Sequence, residues 1–176
     1  MIKLYKRVGV QTCYWEAWEQ GGRVVFHSGV VGDMGQTSEH SVGRFTSCDL
    51  MVREANKRRA EGYEEIALED HRLLVVQYQS KDEDPAKDLE KRRKVEDLLN
   101  ESLGWTGNGH CDGGDIGSGT INIFSFVIDP FLASDVVVEA LRKAKLLGGA
   151  IIALEDEDGF QILWPQDFAE EFAYWY

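Results

Sequence analysis

The sequence predicts an α+β protein of two small units, and three observations carry that prediction. Short β-rich runs alternate with amphipathic helical patterns, glycines punctuate the joints between them, and charge is divided unevenly along the chain. Residues 1–66 hold nine Lys/Arg and nine Asp/Glu, whereas the rest hold ten and twenty-two. The whole formal charge of −12 therefore falls on the second part. This shift, near Ala67–His71, marks a boundary between units with different surfaces. At 43% hydrophobic and 11% aromatic residues over 176 positions, the composition supplies ordinary globular cores.

In the first part, Lys3–Val8 and Thr12–Trp18 read as strands from their β-branched and aromatic content. Gln20-Gly21-Gly22 is a hairpin signal, and Arg23–His27 returns as the next strand. Trp15 and Trp18, three apart, fall on opposite faces of a regular strand. Gly29, Gly32 and Gly35 recur at intervals of three, which reads as a turn requiring positive φ at some of these positions. A polar stretch follows. Ser47-Cys48-Asp49 then offers a helix N-cap, Leu50, Met51, Ala55 and Ala60 punctuate a charged run, and Gly62 stops it.

The second part opens on the apolar strand Leu73–Tyr78. Pro85 starts a helix to about Leu103, with apolar positions at Leu89, Val95, Leu98, Leu99 and Leu103. A weak strand is expected in the glycine-rich stretch around His110–Ile116, then a strong one over Thr120–Ile128. Asp129-Pro130 begins another helix, which Gly148-Gly149 should end; Ala150–Leu154 and Phe160–Trp164 are strands about an acidic turn. This β-α-β-β-α-β order is that of a ferredoxin-like split βαβ sheet carrying both helices on one face. Residues 71–165 are thus read as an acidic ferredoxin-like domain, and 166–176 as an aromatic helix or tail with Phe168, Phe172 and Trp175 on one face.

Residues 1–66 resemble a WGR domain, a module of some poly(ADP-ribose) polymerases and many bacterial proteins. Tyr14, Gly21-Gly22, Val24–His27, Gly29, Gly32, Gly35-Gln36-Thr37 and the helix ending Gly62-Tyr63 carry the resemblance. It implies an antiparallel sheet plus one helix. In the polymerases the Trp and Arg of the motif help contact a DNA end. Here Ser28-Gly29-Val30 stands in their place, and Val30 cannot pair with a phosphate as arginine does. The run Gly113–Thr120 with Asn122-Ile123-Phe124 is similar to small bacterial proteins of unknown role, including immunity-type proteins.

Candidate chemistry is sparse. Gly113–Gly119 is followed by β-rich sequence rather than by Gly-Lys-Ser/Thr and a helix, so it reads as a β–β connection with bulges, not a phosphate loop. His110-Cys111-Asp112 with Asp115 lacks a second ligand pair at zinc-site spacing. Cys13, Cys48 and Cys111 form no disulfide framework, which suits a reducing compartment. No signal peptide or membrane-spanning run is present in the sequence, so a cytoplasmic protein is expected.

The expectation is a non-enzymatic macromolecule-binding or adaptor protein without metal or cofactor, its partner another protein. One version is an immunity-type inhibitor whose acidic domain occludes a basic toxin surface. Glu155, Asp156, Glu157, Asp158 and Trp175 are the candidate protein-contact residues. The alternative is nucleic-acid binding through Arg53, Lys57, Arg58, Arg59, Lys6 and Arg7, against which stands the neutral charge of the first part.

Overall fold

The computed structural model describes residues 1–43, 46–80, 84–169 and 172. They form a mixed α+β structure with two antiparallel sheets and three α-helices. The chain divides into two compact units. One comprises residues 1–70 with Trp105–Gly107, the other residues 71–104 with 108–176.

In the first unit β1 (Ile2–Val8), β2 (Gln11–Gln20), β3 (Arg23–Val30) and β4 (Gln36–Ser41) form a sheet in that order. Helix α1 (Ser47–Ala60) packs against β1, β2 and β3. Leu4, Trp15, Ala17 and Ala55 make the core beneath it, with Phe26, Met51 and Tyr63 at its margin. Trp15 faces the helix while Trp18 lies on the reverse face, as period-two alternation requires.

β4 was not anticipated. Its sequence, Gln-Thr-Ser-Glu-His-Ser, has no apolar alternation because all six residues are exposed. Only pairing with β3, from Arg23↔Ser41 to Ser28↔Gln36, makes it a strand. The helix start also differs from the expected Ser47. Thr46 is the N-cap, and its side chain and backbone exchange hydrogen bonds with Asp49 in a capping box. At the other end Tyr63 N–H donates to Arg58 O and Gly62 N–H to Arg59 O, so Gly62 closes the helix in a Schellman turn.

The second unit holds β5 (Arg72–Gln79), α2 (Pro85–Trp105, whose last residue belongs to the first unit), β6 (Gly109–Gly117), β7 (Thr120–Val127), α3 (Pro130–Lys143), β8 (Ile151–Asp156) and β9 (Gly159–Trp164). The sheet order is β6-β7-β5-β8-β9, antiparallel throughout. Leu74 and Val76 of β5, Ile121 and Ile123 of β7 and Ile152 of β8 share one core with Val95 and Leu99 of α2 and Val137 and Leu141 of α3. Both helices therefore lie on the same face of the sheet.

The glycine-rich segment is the edge strand β6, with a bulge between Cys111 and Gly113. Asp129 caps α3 by accepting from the N–H groups of Phe131 and Leu132, with Pro130 in the first turn. The helix does not reach Gly148-Gly149. It ends at Lys143, and Lys145 adopts the left-handed conformation (φ 59°) while Leu146 N–H donates to Leu141 O. A partly buried Leu146 packed on the core holds this non-glycine turn in place. Of the C-terminal helix expected over Phe168–Tyr176, residues 170, 171 and 173–176, including Trp175, lie outside the described residues; Phe168 and Phe172 are not helical.

Candidate functional site

The first unit carries an open groove of about 410 Å³. Its origin is the incomplete cover of the sheet. α1 packs on β1, β2 and β3 but not on β4, so the helix-facing residues of β4 are left beside it rather than under it. Trp15 and Phe26 stack at the base (5.5 Å, 29° between planes), and His40 lies 4.9 Å from Phe26. Ser28, Gln36, Thr37 and Ser38 line one side; Leu50, Arg53, Glu54 and Arg58 of α1 line the other. Aromatic faces, hydroxyls, an amide and two guanidinium groups thus meet in one concavity.

Of the six cations expected to form a basic patch, Arg53 and Arg58 line the groove, whereas Lys6, Arg7, Lys57 and Arg59 do not. Arg53 and Lys57 both pair with Glu54 (3.1 and 2.9 Å), Arg58 with Glu61 (2.8 Å) and Arg59 with Glu65 (2.6 Å). Lys6 Nζ donates to Glu61 O at 2.6 Å, and Arg7 is exposed near the end of β1. Lys57, and more weakly Arg53, hold the Glu54 carboxyl below its ordinary range. Exposed ion pairs of this kind contribute about 0.2–0.5 kcal/mol each. They leave the face close to neutral, yet an incoming anion displaces them at little cost.

The reverse face of the same sheet holds a polar chain that the sequence reading did not single out. Glu16 Oε1 lies 2.7 Å from His27 Nδ1, and His27 Nε2 lies 3.0 Å from the Tyr14 hydroxyl. That hydroxyl is also 3.3 Å from Trp105 O, and Lys3 Nζ is 3.4 Å from Glu16 Oε2. Glu16, His27 and Tyr14 are 6%, 1% and 0% exposed. One signal was legible: Tyr14, Glu16 and Trp18 share a face of β2, and a carboxylate between two aromatics needs a buried partner. The partner emerges only from register, since Glu16 pairs with His27 across the strands.

Glycines make this packing possible. Gly29 stands opposite Tyr14, and a Cβ there would lie 3.1 Å from the phenol ring and 2.9 Å from Gly35 Cα. Of the three evenly spaced glycines only Gly32 has positive φ (94°). Gly29 and Gly35 are required for space instead.

Burial, reinforced by the Glu16 carboxylate, raises the Tyr14 phenol to about 12; burial also raises Tyr5 and Tyr78. An unfolded phenol ionises near ~10, so above that pH the unfolded chain releases protons that the folded chain keeps. Tyr14's contribution to stability is therefore intact below about pH 10 and lost as pH rises toward 12, at about 1.4 kcal/mol per pH unit. In a base titration, phenolate absorbance from these tyrosines is expected to rise together with loss of the β-sheet circular dichroism. Ionisation of all six tyrosines near ~10 with the fold retained would contradict it.

In the second unit, Glu155–Asp158 form the β8–β9 hairpin, with Asp156 opposite Gly159 and Glu157-Asp158 at the tip. Arg72 Nη2 donates to Glu155 O and lies 3.9 Å from Asp156 Oδ1. Asp156, Glu157 and Asp158 are exposed, and Glu155 is half-buried. His110 and Cys111 diverge. His110 lies 6.1 Å from Phe126, while Cys111 packs on the helix-side core, which raises its thiol pKa. Among the described residues no group of three or more His, Cys, Asp or Glu is placed to hold a metal ion, and no helix is long and apolar enough to cross a membrane. No family model, curated protein or solved structure matches the chain.

Proposed function

We propose that this chain is a non-catalytic binding protein that docks a macromolecular partner, another protein, in the α1–β4 groove of its first unit. The groove itself carries the reading: two stacked aromatics at the base, polar β-strand side chains, and two arginines that pair with Glu54 and Glu61. Such a mixture of aromatic and arginine contacts suits protein recognition.

A WGR-like reading of residues 1–66 is supported by the four-stranded antiparallel sheet with one helix. On that reading Ser28, in place of the motif's tryptophan, lines the groove. A ferredoxin-like reading of the second unit is supported by the strand order β6-β7-β5-β8. An immunity-type role is the narrower version, in which the acidic second part and its exposed Asp156–Asp158 hairpin meet a basic toxin surface. Nucleic-acid binding is the second reading, favoured by the presence of Arg53 and Arg58 in one groove.

A photo-crosslinking side chain at Ser38, which shares the groove face of β4 with Gln36 and His40, tests the proposal with native lysate. Protein adducts are expected, and Arg53→Glu/Arg58→Glu should abolish them. DNA oligonucleotides should show no saturable binding even at low salt. Adducts to nucleic acid, with affinity that falls steeply between about 50 and 200 mM salt, would favour the second reading. Absence of any adduct would sink both.

A further inference from the structure

We infer that β4 is a docking edge for an extended, acidic peptide segment of a partner protein, which adds to the sheet as a strand and turns its carboxylates toward Arg53 and Arg58. The inference rests on the groove being the docking site and names what it accepts. β4 is the last strand of its sheet, and among the described residues no strand lies beyond it. An edge strand points the N–H and C=O groups of alternate residues outward, as a template for another strand.

Protein edges are normally guarded by proline, lysine, bulges or covering elements. Gln36–Ser41 contains neither proline nor lysine, its pairing with β3 runs without a bulge, and all six of its residues are exposed. Its side chains are polar, so they do not promote indiscriminate apolar association, and its one acidic group, Glu39, lies on the face away from α1 and pairs with Arg23 at 2.8 Å.

Charge selects the occupant. Gln36, Ser38 and His40 share the face that turns toward α1, where Arg53 and Arg58 line the groove. A strand added about 4.8 Å beyond β4 presents every second side chain to that same face. Carboxylates at those positions exchange Glu54 and Glu61 for bidentate contacts with the guanidinium forks. A basic segment would meet the arginines with like charge, and a wholly apolar one would leave them unrewarded. Backbone pairing supplies affinity and the alternate side chains supply selectivity.

Random peptides displayed on phage and selected against the full chain test this, with selected sequences synthesised and titrated by fluorescence anisotropy. The expected consensus has Asp or Glu at alternate positions, and affinity falls about tenfold or more in Arg53→Gln/Arg58→Gln. Backbone N-methylation should abolish binding at every second peptide position only, because only those N–H groups face β4. Peptides that perturb groove amide resonances yet lack the acidic alternation, or tolerate N-methylation everywhere, overturn strand addition and leave groove docking standing. A DNA oligonucleotide that displaces them and binds more tightly overturns the peptide assignment in favour of nucleic acid. Selected peptides whose contacts map wholly outside the groove overturn both readings.

Discussion

Replacing Gly35 by alanine is expected to destabilise the first unit by about 3 kcal/mol or more, a loss visible as a lower denaturation midpoint. The added Cβ would sit 2.1 Å from the Tyr14 hydroxyl, 2.5 Å from His27 Nε2 and 2.7 Å from Ser28 O. The first two atoms belong to side chains that are almost wholly buried, and the third is backbone in β3. Tyr14 cannot simply step aside, because Gly29 and Gly107 press on its other surfaces: a Cβ at Gly107 would be 2.2 Å from its ring. Gly148→Ala is the control, since a Cβ there meets nothing within 4 Å and the backbone φ is not in the left-handed region. That substitution should leave stability within about 0.5 kcal/mol of the parent. A Gly35→Ala protein as stable as Gly148→Ala would mean that the β3–β4 turn is freely displaced.

Glu16→Ala is the second large effect, expected to cost about 3 kcal/mol. The carboxylate is 2.7 Å from His27 Nδ1 and 3.4 Å from Lys3 Nζ, and its loss strands a polar imidazole that is 1% exposed. The penalty lies chiefly in the abandoned partner rather than in the lost attraction. Two comparisons separate these contributions. Glu16→Gln keeps a hydrogen-bonding group near His27 and should cost less than Glu16→Ala. Combining Glu16→Met with His27→Leu removes both partners and should recover part of the loss, since an apolar pair leaves fewer orphaned groups. If the double variant were as unstable as the sum of its single changes, the two residues would not be coupled.

These residues show where the sequence was readable and where it was not. Asp129-Pro130 announced α3 because a helix start is a local event: one carboxylate meets N–H groups two and three residues onward. β6 was legible only as a weak strand around His110–Ile116, which the β-α-β-β-α-β order required; pairing with β7 carries it through the glycines to Gly117. The polar strand β4 was not legible. Hydrophobic alternation records burial, and a strand exposed on both faces buries nothing. The end of α3 was misplaced for a related reason. Gly148-Gly149 was the stronger local stop signal, but packing of Leu146 set the turn at Lys145.

The candidate site divides along the same line. Arg53 and Arg58 were identifiable as cations of one helix, together with Lys57 and Arg59, but nothing local separated the two that line a groove from the two that do not. Helical periodicity reports a face only when that face is apolar, and here both sides of α1 are rich in charge. Similarly, Trp105–Gly107 come from far along the chain yet belong to the first unit, with Trp105 O beside the Tyr14 hydroxyl.

By itself the sequence determined the mixed α+β class, the caps of α1 and α3 to within a residue at their starts, and the uneven charge, because each follows from local hydrogen bonding, periodicity or composition. Only the tertiary structure decided that β4 is a strand, that Glu16 meets His27, and that Phe26, Ser38, His40, Arg53 and Arg58 line one groove. Those depend on strand register and on where a helix settles across a sheet. Both are set by the summed packing of residues distant in the chain, which no local pattern encodes.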